Sequence, residues 1–450
     1  MEPDSEPDYD CIIIGSGMAG LYTGVELLRR GGRSLRIAIL ERDQRVGGRA
    51  FTYNGTVDGK AVQWEAGAGR ISRDHVLLQG LMRRYRRKWI PIGASVQFKG
   101  SAMDHCLEPN AFEPAIPVML DVLAGLPADV LARSTIRQLL TRIHGPAATD
   151  NYLLRFPYRA EVDIMRADRA LELFRGEMRA HEGYGICEGG LSTVTEAMAE
   201  DFQRRGGELM LGRTLQNVEQ VGKGTEGSFV RCYLKGSAPL IARHVVLAIP
   251  CAAAAELPAL ADWKTLRHLT MTPLLRFYGV FPKGGPAGDD KLWYEGGGRI
   301  VTAGRVRYMI PGSAAMGSAQ MSYTDSQDAR YWMDRIAVRG EEEVAREIVH
   351  ELREWVDPRI PTPLFTKAHA WEHGVSYWLP GVYSAEEESA AAVRPLPDAL
   401  PGVWLCGESY SLRQGWIEGA LEHAERMLSG LERAMKFSAP TKGKSRRHAR

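Results

Sequence analysis

Three glycines and one acidic residue near the N-terminus have the spacing of a phosphate-binding turn. The sequence Gly-Ser-Gly-Met-Ala-Gly begins at Gly15, follows an apolar run at 11–14, and precedes a second apolar run that stops at Glu41. Gly15 permits the tight turn out of a strand, Gly17 permits backbone approach to a pyrophosphate, and the last glycine permits close helix–strand packing. Glu41 can accept hydrogen bonds from both hydroxyls of a ribose. We therefore predict a dinucleotide-binding βαβ unit, with the helix N-terminus facing the phosphates.

A second group of glycines follows this unit. Residues 41–49 read ERDQRVGGR, and residues 65–70 read EAGAGR. The added glycine pair and Arg49 can return to the same pyrophosphate with a charge-assisted contact. A simple nicotinamide dehydrogenase has no need of this extension, so we interpret the nucleotide as a flavin dinucleotide.

Four motifs, in this order, resemble the FAD-dependent amine oxidase family, which includes monoamine, polyamine and L-amino-acid oxidases. They are the turn and its extension at 11–49, EAGAGR at 65–70, EGGLST at 188–193, and VWLCGE at 403–408 with GWIEGALE at 415–422. The resemblance covers almost the whole chain and implies FAD as cofactor. Monoamine oxidases bond the flavin to a cysteine where this chain has Val375 or Ser376. We therefore expect FAD to be bound non-covalently.

The resemblance also implies which residues contact FAD. Leu215 maps to the position of an apolar residue that contacts the adenine. The carboxylate of Glu408 is expected to bind a ribityl hydroxyl. The helix after Gly415 is expected to direct its N-terminus at the flavin edge that gains negative charge on reduction. The candidate cofactor-binding residues are Gly15, Ser16, Gly17, Met18, Ala19, Gly20, Glu41, Arg42, Gly48, Arg49, Gly67, Ala68, Gly69, Arg70, Leu215, Gly407, Glu408, Gly415, Trp416, Ile417 and Ala420.

Four residues are the candidates for substrate chemistry. By resemblance, Tyr377 and Trp416 form aromatic walls on either side of the substrate nitrogen. Arg70 either binds a substrate carboxylate, as in L-amino-acid oxidases, or contacts FAD or Glu65. Arg276 occupies the position at which family members commonly have a lysine beneath the flavin. We expect Arg276, Tyr377 and Trp416 to be catalytic and Arg70, Tyr377 and Trp416 to bind substrate.

These candidates predict an oxidase that moves a hydride from the Cα–N bond of an L-amino acid to FAD. The products would be an imino acid, then a 2-oxo acid and ammonia, together with H2O2. Two alternatives stay open: an oxidase of a primary amine or polyamine, and a catalytically silent FAD-binding protein, which the arginine at 276 makes worth retaining. A desaturase or protoporphyrinogen oxidase relative is disfavoured, because a bulky substrate would not tolerate Tyr377 and Trp416 beside the flavin.

Composition narrows the class further. The 450 residues are 44% hydrophobic with a net charge of +2, which suggests two or three domains and no acidic polymer as partner. The six cysteines lack the spacing of a metal site or a disulfide framework. No apolar run reaches the roughly eighteen residues that span a membrane, and the N-terminus is acidic, so we expect a cytoplasmic protein. The basic run at 83–89 is interpreted as a solvated helix face, so no nucleic-acid partner is expected.

The expected partners are therefore a small-molecule substrate and O2, with the oligomeric state open and a homodimer as one option. The predicted fold is α/β, with a Rossmann-like FAD-binding domain and a substrate-binding domain of mixed sheet plus helices. Helices are predicted over 110–180 and 340–356, and strands over 268–330. The predicted segments are 8–80, 183–255 and 368–432 for the FAD-binding domain, 81–182 (the helical part) and 256–367 (the β-sheet part) for the substrate-binding domain, and 433–450 for a basic disordered tail that leaves nuclear import open.

Overall fold

The structure is a computed structural model that describes most of the chain. The described residues are 6–32, 34–93, 95–100, 121–123, 125–179, 183–222, 228–284 and 290–435. The last helix ends at Ala434, so the start of the predicted tail at 433 is helical. The remainder of that tail from 436, and the start of the predicted helical segment at 110–120, lie outside the described residues.

The described residues form eighteen strands and thirteen α-helices. The strands are β1 (Tyr9–Ile14), β2 (Ile37–Leu40), β3 (Thr52–Val57), β4 (Lys60–Glu65), β5 (Ile71–Ser72), β6 (Trp89–Pro91), β7 (Val96–Lys99), β8 (Tyr184–Cys187), β9 (Glu208–Met210), β10 (Leu215–Val221), β11 (Phe229–Leu234), β12 (Leu240–Leu247), β13 (Leu269–Val280), β14 (Arg299–Thr302), β15 (Tyr308–Pro311), β16 (Ser318–Asp325), β17 (Phe365–Trp378) and β18 (Val403–Leu405). The helices are α1 (Met18–Gly31), α2 (Val76–Arg84), α3 (Ala128–Ala132), α4 (Ile136–His144), α5 (Pro146–Leu153), α6 (Ala160–Asp163), α7 (Ala167–Arg179), α8 (Ser192–Arg204), α9 (Cys251–Ala255), α10 (Ser326–Arg339), α11 (Glu341–Trp355), α12 (Ala385–Ala391) and α13 (Ile417–Ala434).

The first sheet has seven strands in the order β10-β11-β12-β1-β2-β9, with β18 beside β12. The pairs among β18, β12, β1, β2 and β9 are all parallel. Alternate residues of β1 enter two different cores: Ile13 packs with α1, α8 and α13, whereas Ile12 packs with the opposite layer. Both faces are therefore covered, which explains why these strands read as continuous apolar runs. The Rossmann-like α/β prediction is confirmed.

The second sheet has six strands in the order β17-β13-β16-β15-β14-β7, and most of its pairs are antiparallel. Helices α10 and α11 contribute Trp332, Val344 and Ile348 to the core beside it. Helices α4, α6 and α7 form a separate core, which includes Tyr377 of the second sheet. The predicted strands over 268–330 are observed up to Asp325, after which Ser326 begins α10. The helix predicted at 340–356 is α11.

One segment lies in a different sheet from the one we expected. Residues 368–378, predicted as part of the FAD-binding domain, belong to β17 and pair with β13 of the second sheet. Gly374 lies against Leu274 at a shift in the strand register, and a Cβ on that glycine would be 2.4 Å from the Leu274 Cβ. The remaining division into domains stays a prediction.

Two features are absent from the described residues. None of their helices is both long and apolar enough to cross a membrane. No group of three or more His, Cys, Asp or Glu side chains among them is arranged to hold a metal ion.

A buried carboxylate joins the helices that cover one face of the first sheet. Glu26 of α1 has a side chain only 2% exposed and pairs with Arg29 at 2.6 Å, Arg30 at 2.9 Å and Arg84 of α2 at 2.7 Å. Arg30 also pairs with Glu425 of α13 at 2.7 Å. Burial opposes the charge on Glu26, but hydrogen bonds from Arg29 and Arg84 outweigh it and lower the pKa to about 2. Three helices therefore depend on one ionised carboxylate.

We predict that Glu26→Gln lowers the free energy of unfolding at pH 7 by about 3 kcal/mol, since it removes the buried anion whose pKa is lowered on folding and leaves Arg29 and Arg84 without it. The folded-state pKa of Glu26 is below its ordinary value, so the contribution is present above pH 4.5 and is lost as the pH falls toward 2. Urea unfolding followed by tryptophan fluorescence at several pH values measures both effects. Glu432→Gln, which removes a single partner of Arg30, is the matched control. A difference between variant and wild type that does not narrow below pH 4.5 would contradict the prediction.

Candidate active site

The turn between β1 and α1 accepts only glycine at two of its three glycine positions. Gly15 has φ +99°, and an added Cβ would lie 2.6 Å from the carbonyl oxygen of Ala248. A Cβ on Gly20 would lie 1.9 Å from the carbonyl oxygen of Gly15. At Gly17, by contrast, φ is −68° and an added Cβ would meet nothing within 4 Å. The open space at Gly17 adjoins the first turn of α1, whose free N–H groups suit a phosphate.

Glu41 lies beside this turn at the carboxyl end of β2. Its Oε2 accepts hydrogen bonds from the backbone N–H and the hydroxyl of Ser16, both at 2.8 Å, and its Oε1 accepts one from the N–H of Asp43. The N–H of Arg213 donates to the Glu41 carbonyl at 2.7 Å, which brings the start of β10 at Leu215 close to this end of the sheet. A ribose next to the phosphates and an adenine beyond it fit this arrangement. Arg42 differs, since its side chain is 70% exposed and pairs with Asp43.

The second glycine pair lies alongside the turn. The N–H of Gly47 donates to the carbonyl of Ser16 at 2.9 Å, and a Cβ on Gly48 would be 3.5 Å from the Cα of Gly17. Arg49 then extends away from the turn, donating to the carbonyl of Gly374 at 2.9 Å. The extension at 41–49 therefore borders the open space at Gly17.

A second buried carboxylate joins the first and last motifs. Glu408, 8% exposed, pairs with Arg49 at 2.8 Å and accepts hydrogen bonds from the Ser376 hydroxyl at 3.1 Å and from the N–H of Gly415 at 2.7 Å. Ser376 belongs to β17, and Gly415 shortly precedes α13. The nucleotide turn, the second sheet and the C-terminal helix therefore meet at one side chain.

Residues 67–70 fill the gap between these groups. The N–H of Ala68 donates to the Arg49 carbonyl at 2.9 Å, and a Cβ on Gly67 would lie 1.9 Å from the same oxygen. A Cβ on Gly69 would lie 3.0 Å from the Glu65 side chain and 3.5 Å from a guanidinium nitrogen of Arg276. Glycine is required here because two other segments approach the backbone closely. The backbone of the EAGAGR motif thus connects the nucleotide turn to the candidate substrate residues.

A cavity of about 630 Å³ lies beyond this point, and we call it the reaction cavity. All four candidates for substrate chemistry line it, namely Arg70, Arg276, Tyr377 and Trp416, as do the cofactor candidates Ala68, Gly69, Gly415 and Ile417. The structure therefore brings together residues that are more than 300 positions apart in sequence. Ala420 is buried in α13, one turn beyond the cavity lining.

Tyr377 and Trp416 reach the reaction cavity from different elements. Tyr377 lies in β17 opposite Thr270 of β13 and is 3% exposed. Trp416 immediately precedes α13, and its ring stacks on Tyr184 with centroids 5.8 Å apart and an interplanar angle of 4°. Both rings are thus held by secondary structure, as an aromatic wall requires.

The Arg70 guanidinium lies among three aromatic rings. Its central carbon is 5.1 Å from the ring centroid of Tyr184, 5.5 Å from that of Trp416 and 5.7 Å from that of Tyr158. These are cation–π distances, and Arg70 lines the reaction cavity. Whether its contact is with a substrate carboxylate stays a prediction.

Arg276 is held by an aromatic ring, a carbonyl and a hydroxyl. Its guanidinium lies 4.5 Å from the ring centroid of Tyr323, and its Nη1 donates to the Glu65 carbonyl at 3.0 Å and to the Tyr278 hydroxyl at 3.5 Å. The residue is 8% exposed, and its Nε has no hydrogen-bond partner. Its contacts within the described residues are aromatic rings, a carbonyl and a hydroxyl.

Three residues that sequence reasoning missed also line the reaction cavity: Tyr158, Glu161 and Asp325. The buried Asp325 carboxylate accepts the N–H groups of Arg159 and Ala160 at 2.8 and 2.9 Å, and burial raises its pKa to about 6 in spite of these bonds. The Tyr158 hydroxyl is buried without a hydrogen-bond partner. The aspartate before the helix at Ser326 could have been recognised as an N-cap candidate. No sequence pattern points to the other two residues.

Comparisons with known proteins agree with this geometry. The family profile described as flavin containing amine oxidoreductase matches residues 131–427, and that of an NAD(P)-binding Rossmann-like domain matches residues 13–83. Wild-type putrescine oxidase bound to putrescine is similar in structure with a TM-score of 0.72, at 18% sequence identity over 94% of this chain and 98% of its own. Cyclohexylamine oxidase from Brevibacterium oxydans is similar with a TM-score of 0.71, at 18% identity over 95% of this chain and 100% of its own.

The first profile spans well over half of the chain, so the protein belongs to the flavin-containing amine oxidoreductase family. It is an FAD-dependent enzyme of that family, and the predictions of family and cofactor are confirmed. The residues fit FAD because the turn at Gly17 is open beside a helix N-terminus and Glu41 borders it. The specific contacts assigned to each cofactor candidate stay predictions.

We predict that Gly17→Ala folds but loses FAD, because the added methyl group enters the open space beside α1 without meeting protein atoms. Its affinity for FAD should fall at least about tenfold, since the backbone can no longer approach a pyrophosphate. Gly20→Ala should fail to fold, because its Cβ collides with the Gly15 carbonyl. Gly80→Ala, in α2 with no atom within 4 Å of the added Cβ, is the control that keeps both fold and cofactor. Circular dichroism measures the folding of the purified variants, and their absorbance measures the FAD content. A Gly17→Ala protein with full FAD content would contradict the assignment of this turn to the pyrophosphate.

We also predict that acid releases the flavin. The five described cysteines are buried elsewhere, and none of them lines the reaction cavity. Of the two residues that can correspond to the family's flavin-linked cysteine, Val375 lines the reaction cavity and Ser376 donates a hydrogen bond to Glu408. Precipitation with trichloroacetic acid should leave a colourless pellet and a yellow supernatant. A yellow pellet would contradict non-covalent binding.

Proposed function

We propose that this protein oxidises the C–N bond of an amine that carries no α-carboxylate, with O2 as the final electron acceptor. Bound FAD supplies the acceptor for the two electrons removed from the substrate. The observation that carries the proposal is that the lining of the reaction cavity has two carboxylates, Glu161 and Asp325, to balance its two guanidinium groups. No net positive charge is therefore left there to attract a substrate carboxylate. Similarity to enzymes named putrescine oxidase and cyclohexylamine oxidase supports the same substrate class.

The protein's own residues orient and deprotonate the substrate in this proposal. Tyr377 and Trp416 flank the carbon next to the nitrogen and keep water away from it. An amine enters as an ammonium ion and must lose a proton before its C–H bond can be oxidised. Asp325 accepts that proton, because its pKa of about 6 is close to neutral pH and the N–H groups of Arg159 and Ala160 hold its carboxylate in place.

Arg276 is the fixed positive charge of the reaction cavity. It lines the cavity from β13 and keeps its position through the Glu65 carbonyl and Tyr323. We assign to it the role that the resemblance gives to the family's lysine, a cation near the site where oxygen reacts. A guanidinium differs from an ammonium in size and in the direction of its donors, so the water arrangement around it also differs.

An L-amino-acid oxidase is the second candidate. One observation favours it: Arg70 ends the EAGAGR motif and lines the reaction cavity, where a guanidinium can bind a carboxylate with two hydrogen bonds. Its three aromatic neighbours support the first candidate instead, because stacking on Tyr184 and Trp416 already stabilises the charge.

Anaerobic mixing of the yellow protein with amines and with L-amino acids separates the two candidates. We expect n-butylamine, cyclohexylamine or putrescine to bleach the flavin and the twenty L-amino acids to leave it oxidised. Arg70→Met should then change the Michaelis constant for the amine by less than about threefold. Arg73→Met, whose guanidinium lies over Trp89 and lines neither cavity, is the matched control.

The opposite result would support the L-amino-acid oxidase. If amino acids bleach the flavin and Arg70→Met weakens their binding by about 2 to 4 kcal/mol more than that of the decarboxylated amines, the second candidate is correct. If no compound of either class bleaches the flavin, the protein is a silent FAD-binding protein.

A further inference from the structure

A second cavity, of about 790 Å³, adjoins the reaction cavity, and we call it the outer cavity. The two cavities share Trp416 as a wall residue, and Tyr184, which stacks on it, lines the outer cavity. Asp74 and Glu422 line the outer cavity with side chains 57% and 45% exposed, so it opens to solvent. A molecule that passes the stacked rings would occupy both cavities at once.

The charges of the two cavities differ. The reaction cavity has two carboxylates, Glu161 and Asp325, and two guanidinium groups, so its formal charges balance. The outer cavity has three carboxylates and two guanidinium groups, and its histidine is neutral because burial lowers the pKa of His75 to about 4. The outer cavity is therefore negative at neutral pH. Its carboxylates are Asp74, Glu172 and Glu422, and its guanidinium groups are those of Arg169 and Arg413.

Glu172 is the carboxylate that carries this excess charge. Arg413 lies 3.4 Å from Asp74 and 3.5 Å from Glu422. Arg169 forms an ion pair with Glu386 at 2.8 Å and donates a hydrogen bond to the carbonyl of Leu412. Within the described part of the chain, Glu172 forms no ion pair. A cation entering the outer cavity would find its partner there.

An independent observation points to a ligand in the same cavity. Ser72 lines it and is 3% exposed, yet its hydroxyl has no hydrogen-bond partner. A buried hydroxyl without a partner costs free energy unless a ligand or water completes its hydrogen bonds. Serine oxygen accepts hydrogen bonds, so an N–H group of an ammonium ion suits it.

We propose that the outer cavity binds a second cationic group of the substrate, an organic ammonium ion, through Glu172 and Ser72. This inference rests on the proposed function and extends it, since the reacting nitrogen then lies in the reaction cavity. The carbon chain between the two nitrogens runs along the Trp416 ring. Arg70 is stacked on Tyr184 and Trp416 at this boundary, so a positive charge in the middle of the chain is repelled. The site therefore selects molecules with cations at both ends and an uncharged middle.

The test compares diamines with monoamines of the same chain length on the FAD-loaded enzyme. The readout is the ratio of the Michaelis constant for the diamine to that for the monoamine. Glu172→Gln should raise this ratio about three- to fivefold, the size expected of one partly exposed ion pair, and added salt should reduce the effect. Glu172→Lys should raise it further. Glu196→Gln is the matched control, because it removes an exposed carboxylate from α8 that lines neither cavity.

A second measurement does not depend on turnover. A bis-trimethylammonium alkane has no N–H group, so it cannot become a neutral amine and is not oxidised. Its binding can be followed by tryptophan fluorescence. Its dissociation constant should rise by a similar factor in Glu172→Gln and stay unchanged in Glu196→Gln. A triamine with a central nitrogen should have a higher Michaelis constant than a diamine of equal length.

The outcomes separate this inference from the proposed function. If monoamines are oxidised but Glu172→Gln and Glu196→Gln behave alike with both diamines and the bis-quaternary compound, the outer cavity binds no second cation and the proposed function stands. If no amine bleaches the flavin, the proposed function fails whatever the binding experiment gives.

Discussion

The buried carboxylate of Glu408 is the interaction on which the candidate site depends. An anion that is 8% exposed is stable only when its charge is paired, and Arg49, the Ser376 hydroxyl and the Gly415 N–H provide that pairing. Each of these partners comes from a different part of the chain. The reaction cavity is built from the neighbours of two of them: Val375 and Tyr377 flank Ser376, and Gln414 and Trp416 flank Gly415. Fixing one carboxylate therefore fixes the positions of both aromatic walls.

Trp416 connects this junction to the surface of the molecule. The preceding Gly415 has φ +79°, a conformation that other residues rarely adopt, and α13 begins directly after the tryptophan. The ring is thus fixed from both sides, and it stacks on Tyr184 and contacts His75 edge-on at 4.9 Å. One face of this assembly lines a cavity with balanced charges, and the other lines a cavity with an excess negative charge. In the proposed reaction, the same aromatic group separates the site where one nitrogen loses its proton from the site where a second nitrogen keeps its charge.

The sequence predicts well those features that a short stretch of chain determines by itself. The roles of Gly15 and Gly20 follow from steric limits within one turn, and Glu41 follows from the end of one strand, so both could be predicted. Tyr377 and Trp416 could be named only through the family resemblance. Asp325 and Glu161 were missed because their position arises from tertiary packing: the carboxylate at the end of β16 binds the first N–H groups of α6, some 165 residues away in sequence. The predicted boundary between residues 367 and 368 falls within strand β17, whose pairing with β13 joins segments far apart in sequence.

The arginine at position 276 is a buried positive charge whose direct contacts are an aromatic ring, a carbonyl and a hydroxyl. Its planar guanidinium stacks on Tyr323 while one nitrogen binds the Glu65 carbonyl, and a lysine ammonium could not do both. The groups behind it are also uncharged: Tyr278 stacks on Trp64 at 4.9 Å, Trp64 donates to His369 at 2.9 Å, and burial lowers the pKa of His369 to about 4. A positive charge held in this way lowers the pKa of any ammonium ion that enters the cavity. In the proposed reaction this charge favours the neutral amine, the form that can be oxidised, and the carboxylate of Asp325, in the lining of the same cavity, takes the proton that is lost.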